Sequence, residues 1–381
     1  MERIESINFD RINWCCADFG ITLETLAAEV GISNAGLEHL INGEGITFLQ
    51  LKKVADYFGR GVLFFLEFEP LSETTVHTLA FRTLANQKPE LSGKMKKFIE
   101  RVERHRTIYL ELREELNNQD FPKFTAPKIP EGKISTAAAT AREWLKLGTE
   151  NTFDDYRQAI EAKGILVFRS NGYHGQWQIG KDVPIMGFTL YDAHCPVIVV
   201  KKQNAETQQS FTLAHELGHL LLHKTHSIDS EEDMYSNKAG EREANAFAGH
   251  LLVPDVFLMQ INDSRRPKHA SEYDTWLEKQ CKAWGVSGEV ILRRLLDCGR
   301  LTPEEYGAYR NWRKDWVPNP GEGGSRKYRH REPRHMFGDN FVKTVLDAVA
   351  GQYITITKAS KYLDNLKTSD IQELGRYYAG A

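Results

Sequence analysis

Two histidines four residues apart, with a glutamate directly after the first, are the residues of this chain best placed to do chemistry: His215-Glu216-Leu217-Gly218-His219. On a helix, positions i and i+4 lie one above the other, so both imidazoles can reach one metal ion. Phe211-Thr-Leu-Ala precedes the motif and Leu220-Leu-Leu-His223 follows it, apolar on nearly every side, which predicts a buried helix. Two histidines and a carboxylate buried without partners would cost several kcal/mol, and a metal supplies the partner. The competing reading is a pair of hydrogen-bonded core histidines.

A catalytic zinc takes three protein ligands and keeps one position open for water, so a third ligand must lie downstream. The extended HExxHxxGxxH solution is absent, because Leu220, Leu221, Leu222 and His223 follow His219. His223 continues the helix about 6 Å beyond His219 and about 12 Å beyond His215, which assigns it to the last carbonyls of the helix rather than to the same ion. A second helix, Gly240 to Pro254, offers Glu241 and Glu243. Glu241 heads a core-facing row of Ala244, Asn245, Ala248, Leu251 and Leu252, while Glu243 falls with Ala246, Phe247 and His250. Glu241 is the preferred third ligand and Glu243 the alternative, with a first-turn capping acid as the structural reading of Glu241.

These helices need a scaffold. The chain has 381 residues, enough for two or three domains. Residues 1–70 read as a run of short helices: Thr22 and Ser33 are N-cap candidates around the Gly31 turn, and Thr47 to Gln50 is a capping box with Leu51, Val54, Ala55 and Phe58 as the apolar stripe. That alternation resembles the lambda-repressor-like (XRE) helix-turn-helix domain. Residues 71–134 are expected to be a helical linker, with a polar helix over Glu90 to Asn117 and a stretch punctuated by Pro122, Pro127 and Pro130. Residues 135–316 form the α+β part, with strands at Gly164 to Arg169, Met186 to Tyr191 and Pro196 to Val200. Residues 317–338 are expected to be a basic Gly/Pro loop, and residues 339–381 a helical segment with Phe341, Val345, Ala348, Ala359, Tyr362 and Leu363 at helical spacing.

HELGHxxLH followed by ExxANxFAxxLLxP resembles the ImmA/IrrE metallopeptidase family over about Phe153 to Leu295. The resemblance implies a gluzincin-like zinc endopeptidase in which His215, His219 and Glu241 hold Zn2+ and Glu216 activates water. It implies a protein substrate, a DNA-binding repressor or related regulator in a stress, mobile-element or phage-related switch. The strand Pro196 to Val200 is a candidate for pairing with an extended peptide, though its Val-Ile-Val-Val run fits a buried strand equally well. Tyr235, His226 and His250 are the candidates for stabilising the oxyanion.

Composition sets the outer bounds. The hydrophobic fraction of 41% and charged fraction of 27% exclude wholesale disorder and fibrous architecture. The longest apolar stretch near the start, Val62 to Phe68, is broken by Glu67 and far short of the ~20 residues of a membrane span. Five cysteines without a CxxC, and a polar amino terminus without a signal-peptide core, predict a soluble cytoplasmic protein. The net charge of -3 divides unevenly, since residues 1–70 carry five basic and eleven acidic side chains. Ser33 to Ile41, the expected recognition helix, has no Lys or Arg, and DNA affinity rests on phosphate neutralisation. DNA binding is therefore weakly supported, and protein recognition or homodimer formation competes with it. The alternative function is a non-catalytic, antitoxin-like or transcription-regulating protein that holds DNA or a toxin.

Overall fold

The computed structural model describes residues 3–380 except 70, 72–77, 89–90, 118–120, 131, 173–174, 234–235, 237 and 315–325. The chain divides into two compact units, Met1–Arg104 and His105–Ala381, each with its own core.

In the first unit, local chemistry starts the helices and apolar stripes close the core. Helices α1 (Phe9–Phe19), α2 (Leu23–Val30), α3 (Asn34–Ile41) and α4 (Phe48–Phe58) begin at Asn8, Thr22, Ser33 and Thr47, whose side chains each accept a first-turn N–H. Thr47 and Gln50 satisfy one another reciprocally as a capping box. Ile12, Cys15, Leu26, Leu37, Leu51, Val54 and Phe58 pack together at the centre. A short antiparallel ladder joins β1 (Arg3–Ile4) to β2 (Ile46–Thr47). Helices α5 (Leu79–Gln87) and α6 (Gly93–Leu116) follow, the latter continuing past Arg104.

The second unit is α+β. Helices α7 (Ile134–Leu145) and α8 (Phe153–Glu161) precede a four-stranded sheet of β3 (Leu166–Arg169), β4 (Ile185–Leu190), β5 (Val197–Val200) and β6 (Ser227–Ser230). The strand order is β3-β5-β4-β6, with β3 parallel to β5 and the other pairs antiparallel. Strand β5 thus bonds on both sides, to β3 and to β4, and has no free edge for a peptide. This corrects the expectation that 196–200 could take an added strand; its unbroken branched run reflects burial on both faces. The edge next to β4 is β6, whose Ser-Ile-Asp-Ser sequence carries no apolar alternation.

Helix α9 (Glu206–Gly218) lies against β4 and β5, and its last turn widens into a π-helix over His219–His223. Helix α10 (Ala239–Leu252) packs along α9 and against α7. After the short α11 (Asp255–Leu258), helices α12 (Tyr273–Trp284), α13 (Gly288–Asp297) and α14 (Pro303–Lys314) bring Leu277, Trp284, Ile291, Leu295 and Tyr309 into the same core as Leu213, Leu217, Phe247 and Leu251. The Pro-punctuated stretch 121–130 lies down on this unit: the Phe124 side chain belongs to the core, and its backbone occupies the place a Cβ on Gly164 would take.

Residues 315–325 lie outside the described residues, so residues 317–325 of the expected basic loop do too. From Arg326 the chain is helical instead of a loop, first as 3-10 turns over Arg326–Arg331 and then as α15 (Glu332–Ala350), broken at Gly338. The cause is tertiary. The buried Arg157 guanidinium donates to the carbonyls of Arg334, His335 and Met336, and Glu161 Oε2 accepts the Asp339 N–H at 3.0 Å. Phe337 and Phe341 then close on His105, Phe168 and Trp177. Helices α16 (Ile356–Tyr362) and α17 (Thr368–Ala379) complete the chain.

Candidate metal centre

Helix α9 carries His215 and Glu216, and the π turn that continues it carries His219, on a segment buried from Thr212 to Leu221. Its approach to α10 is set by small residues. A Cβ on Gly218 would stand 3.1 Å from the Phe247 ring and 3.3 Å from Ala244 Cα, so the two backbones meet where glycine faces alanine. Glu241 lies three residues before Ala244, about one helical turn, and this close approach places its carboxylate beside the imidazoles. Glu241 Oε2 is 3.3 Å from His215 Nε2 and 3.5 Å from His219 Nε2, and the two Nε2 atoms are 3.0 Å apart.

A fourth group joins them from β6. Asp229 Oδ2 lies 3.7 Å from His215 Nε2 and 3.6 Å from His219 Nε2. One ligand atom from each of His215, His219, Asp229 and Glu241 falls within 4.8 Å of all the others. Both carboxylate oxygens, Asp229 Oδ2 and Glu241 Oε2, are buried and receive no hydrogen bond from the described residues.

The outer nitrogens of the imidazoles are occupied. His215 Nδ1 is 3.0 Å from Asn245 Oδ1, an acceptor only, so Nδ1 carries the proton. His219 Nδ1 is 3.0 Å from His223 Nδ1, and His223 Nε2 is 3.1 Å from Glu243 Oε2. Glu243 can only accept, so the chain runs from His219 Nδ1–H to His223 and from His223 Nε2–H to Glu243. That arrangement turns the Nε2 lone pairs of both histidines inward. Two nitrogens and two carboxylate oxygens thus converge in a buried space, and the physical requirement is for positive charge between them. The donor set of two imidazoles and two carboxylates suits zinc.

The electrostatics agree. Burial would push the Glu241 carboxyl up, but the adjacent His215 and His219 imidazoles win and hold it well below the usual range. Burial would lower His219, yet Glu241 and Asp229 raise it. Burial raises the Asp229 carboxyl, opposed by His215 and His219.

Glu216 points to the sheet side and is fully buried. Thr189 Oγ1 and Ser227 Oγ donate to its Oε2 at 2.8 and 3.1 Å. Its Oε1 occupies space left by the missing side chain of Gly187, since a Cβ there would stand 2.6 Å away. Burial first, then the Asp229 charge, hold the Glu216 carboxyl well above its ordinary value, against the pull of Thr189 and Ser227.

Residues 161–296 match the family model of the IrrE N-terminal-like domain, peptidase family M78. The M78 match takes in β3 to α13 and with them every residue of the cluster. A second comparison finds 35% identity over 82 residues with an uncharacterized immunity region protein 2 of Bacillus phage phi105, covering 21% of this chain. The chain spans about half the length of that relative, 52%.

The structure brings His215, Glu216, His219 and Glu241 to one place. His223 and Glu243, assigned above to helix-end carbonyls and to the alternative ligand position, instead form the chain behind His219. His226 Nδ1 accepts the Tyr191 N–H, and His250 lies beside Asp255 and Arg294; neither belongs to the four-residue cluster. Tyr235 lies outside the described residues. Sequence reasoning missed Asp229, Thr189 and Ser227. Ser227 and Asp229 are two apart on a strand and so share a face, a signal available only once Ser-Ile-Asp-Ser is known to be a strand.

Proposed function

We propose that the chain is a zinc-dependent endopeptidase that cleaves a specific protein, a DNA-binding repressor or related regulator. The observation that carries this reading is the convergence of His215, His219 and Glu241 with Glu216 at their side. His215, His219 and Glu241 would hold the metal. Zinc, when bound, supplies a Lewis acid that polarises the scissile carbonyl and makes water nucleophilic near neutral pH. Glu216 takes a proton from the attacking water and returns it to the leaving amine, with Thr189 and Ser227 fixing its other oxygen. The M78 match and the phage immunity-region relative support a peptidase in a regulatory switch, and the regulator as substrate is the step beyond them.

The first unit would recognise that partner as a protein. Helix α3 has no Lys or Arg, and its His39 pairs with Glu44. Ile41, Phe48 and Leu49 are exposed at or near the adjoining helix ends. A cytoplasmic location fits five free cysteines and described helices none of which is long and apolar enough to cross a membrane.

The test is metal analysis of wild type and His215→Ala, followed by incubation of each with any small DNA-binding regulator that a neighbouring gene encodes. Stoichiometric zinc and cleavage by the wild type alone are expected. A wild-type protein that cannot take up zinc and leaves the regulator intact overturns the reading.

A further inference from the structure

Asp229 stands where a hydrolytic metal centre needs an opening. We propose that Asp229 is a fourth protein ligand that closes the centre in the resting protein, so that water and substrate reach the metal only after Asp229 is displaced. The proposal rests on the zinc reading above and concerns what that reading leaves unexplained.

Geometry carries it. Zinc held at about 2.0–2.1 Å by four ligands puts neighbouring ligand atoms roughly 3.3 Å apart. The five separations among His215 Nε2, His219 Nε2, Glu241 Oε2 and Asp229 Oδ2 given above run from 3.0 to 3.7 Å, close to that edge. Asp229 is therefore as close to the imidazoles as Glu241 is, within a few tenths of an ångström. Its residue is 2% exposed and its Oδ2 is buried without a hydrogen-bond donor among the described residues, so an acidic oxygen is aimed at the imidazole pair while the Asp229 carboxyl also neighbours Glu216. Four protein ligands are the mark of closed sites, and three with a free position that of hydrolytic ones.

The two carboxylates differ in what holds them. Glu241 projects from α10, locked to α9 by the Gly218–Ala244 contact. Asp229 sits on the last strand of the sheet, bonded among the described strands to β4 alone, and the β4–β6 register shifts between Ile185 and Gly187, next to the Gly187–Asp229 pairing. An edge strand with an irregular register can move by a small amount without breaking the sheet. Asp229 is thus the ligand that can leave, and Ser227, two residues earlier on the same face, would carry the Glu216 contact with it.

Cobalt(II) in place of zinc provides the readout, with azide as a small anion that enters only an open coordination position. The wild-type cobalt protein should keep its visible bands unchanged in millimolar azide, and Asp229→Ala should shift them. Zinc affinity, measured by chelator competition, should fall at least about tenfold in Asp229→Ala. Asp229→Asn keeps the side-chain volume, tests the same loss of ligand strength if the alanine variant does not fold, and should weaken zinc in the same direction. Azide shifting the wild-type bands as far as those of the variant, with equal zinc affinities, overturns the proposal and leaves Asp229 a neighbour of Glu216 only. A wild type that binds neither cobalt nor zinc overturns the zinc reading beneath it.

Discussion

Asn245 Oδ1 accepts a hydrogen bond from His215 Nδ1 at 3.0 Å, across thirty residues of sequence. Glu241 and Asn245 are four apart on α10, so one face of that helix supplies both a proposed ligand and the group that orients another. Asn245→Ala should leave the fold intact and weaken zinc binding about 10- to 100-fold, the range for removing such a support. Chelator competition on the purified variant measures it, with His215→Ala as the reference for loss of a ligand.

Glu216→Gln preserves shape and can still accept from Thr189 and Ser227. It should retain zinc and lose about 10²- to 10⁴-fold in cleavage rate, the usual contribution of a positioned proton acceptor. Full proteolysis by this variant would remove Glu216 from the role given to it.

Gly187→Ala probes the space around the same carboxylate. The new Cβ would stand 2.6 Å from Glu216 Oε1, 2.8 Å from Thr212 Cγ2 and 2.9 Å from the Val199 carbonyl. Two of these neighbours are fixed in helix and sheet, so the expected cost is ~1–3 kcal/mol of stability. Cleavage should fall with zinc content unchanged, and denaturant unfolding together with metal analysis separates the two effects.

The contact between α8 and α15 should make stability depend on pH. Burial pushes the Glu161 carboxyl from 4.5 up to about 7, against the pull of Arg157. The folded state therefore prefers the protonated acid. Its contribution, ~3 kcal/mol at most, is fully present below about pH 4.5 and lost as pH rises through about 7. His335 has the opposite sign, since burial pushes it down to about 4, and its contribution is lost as pH falls from 6.5 toward that value. Comparison with Glu161→Gln isolates the first group. Their melting temperatures should be close at pH 4.5, and the variant should gain on the wild type as pH rises to 8. A gap independent of pH would show that Glu161 is not the titrating group.

What could be read in advance was whatever depends on neighbours in sequence. The Thr22, Ser33 and Thr47 caps involve groups three residues apart, and the pairing of His215 with His219 needs only one helical turn. The stripe from Glu241 through Ala244 and Asn245 could be read for the same reason. What stayed hidden depends on partners far along the chain. Val-Ile-Val-Val announces burial but not that β5 lies between two strands. Ser-Ile-Asp-Ser has a single branched residue, Ile228, and no apolar alternation by which strands are recognised, so Asp229 had no context. Arg326 to Gly338 reads as a loop by composition because the groups that order it, Arg157 and Glu161, lie about 180 residues earlier. His223 was placed by axial distance alone, which misses that a π turn brings its ring back onto His219.

The reach from Arg157 to the carbonyls of 334–336 also sets a schedule for synthesis. At 5–20 residues per second, those carbonyls leave the ribosome roughly 10–30 s after Arg157 does. During that interval Phe168, Trp177 and His105 are made but lack the Phe337 and Phe341 rings that cover them. The second unit therefore passes through a stage in which its strands exist but one aromatic flank is bare, and a nascent chain stalled there is the form most prone to associate with another.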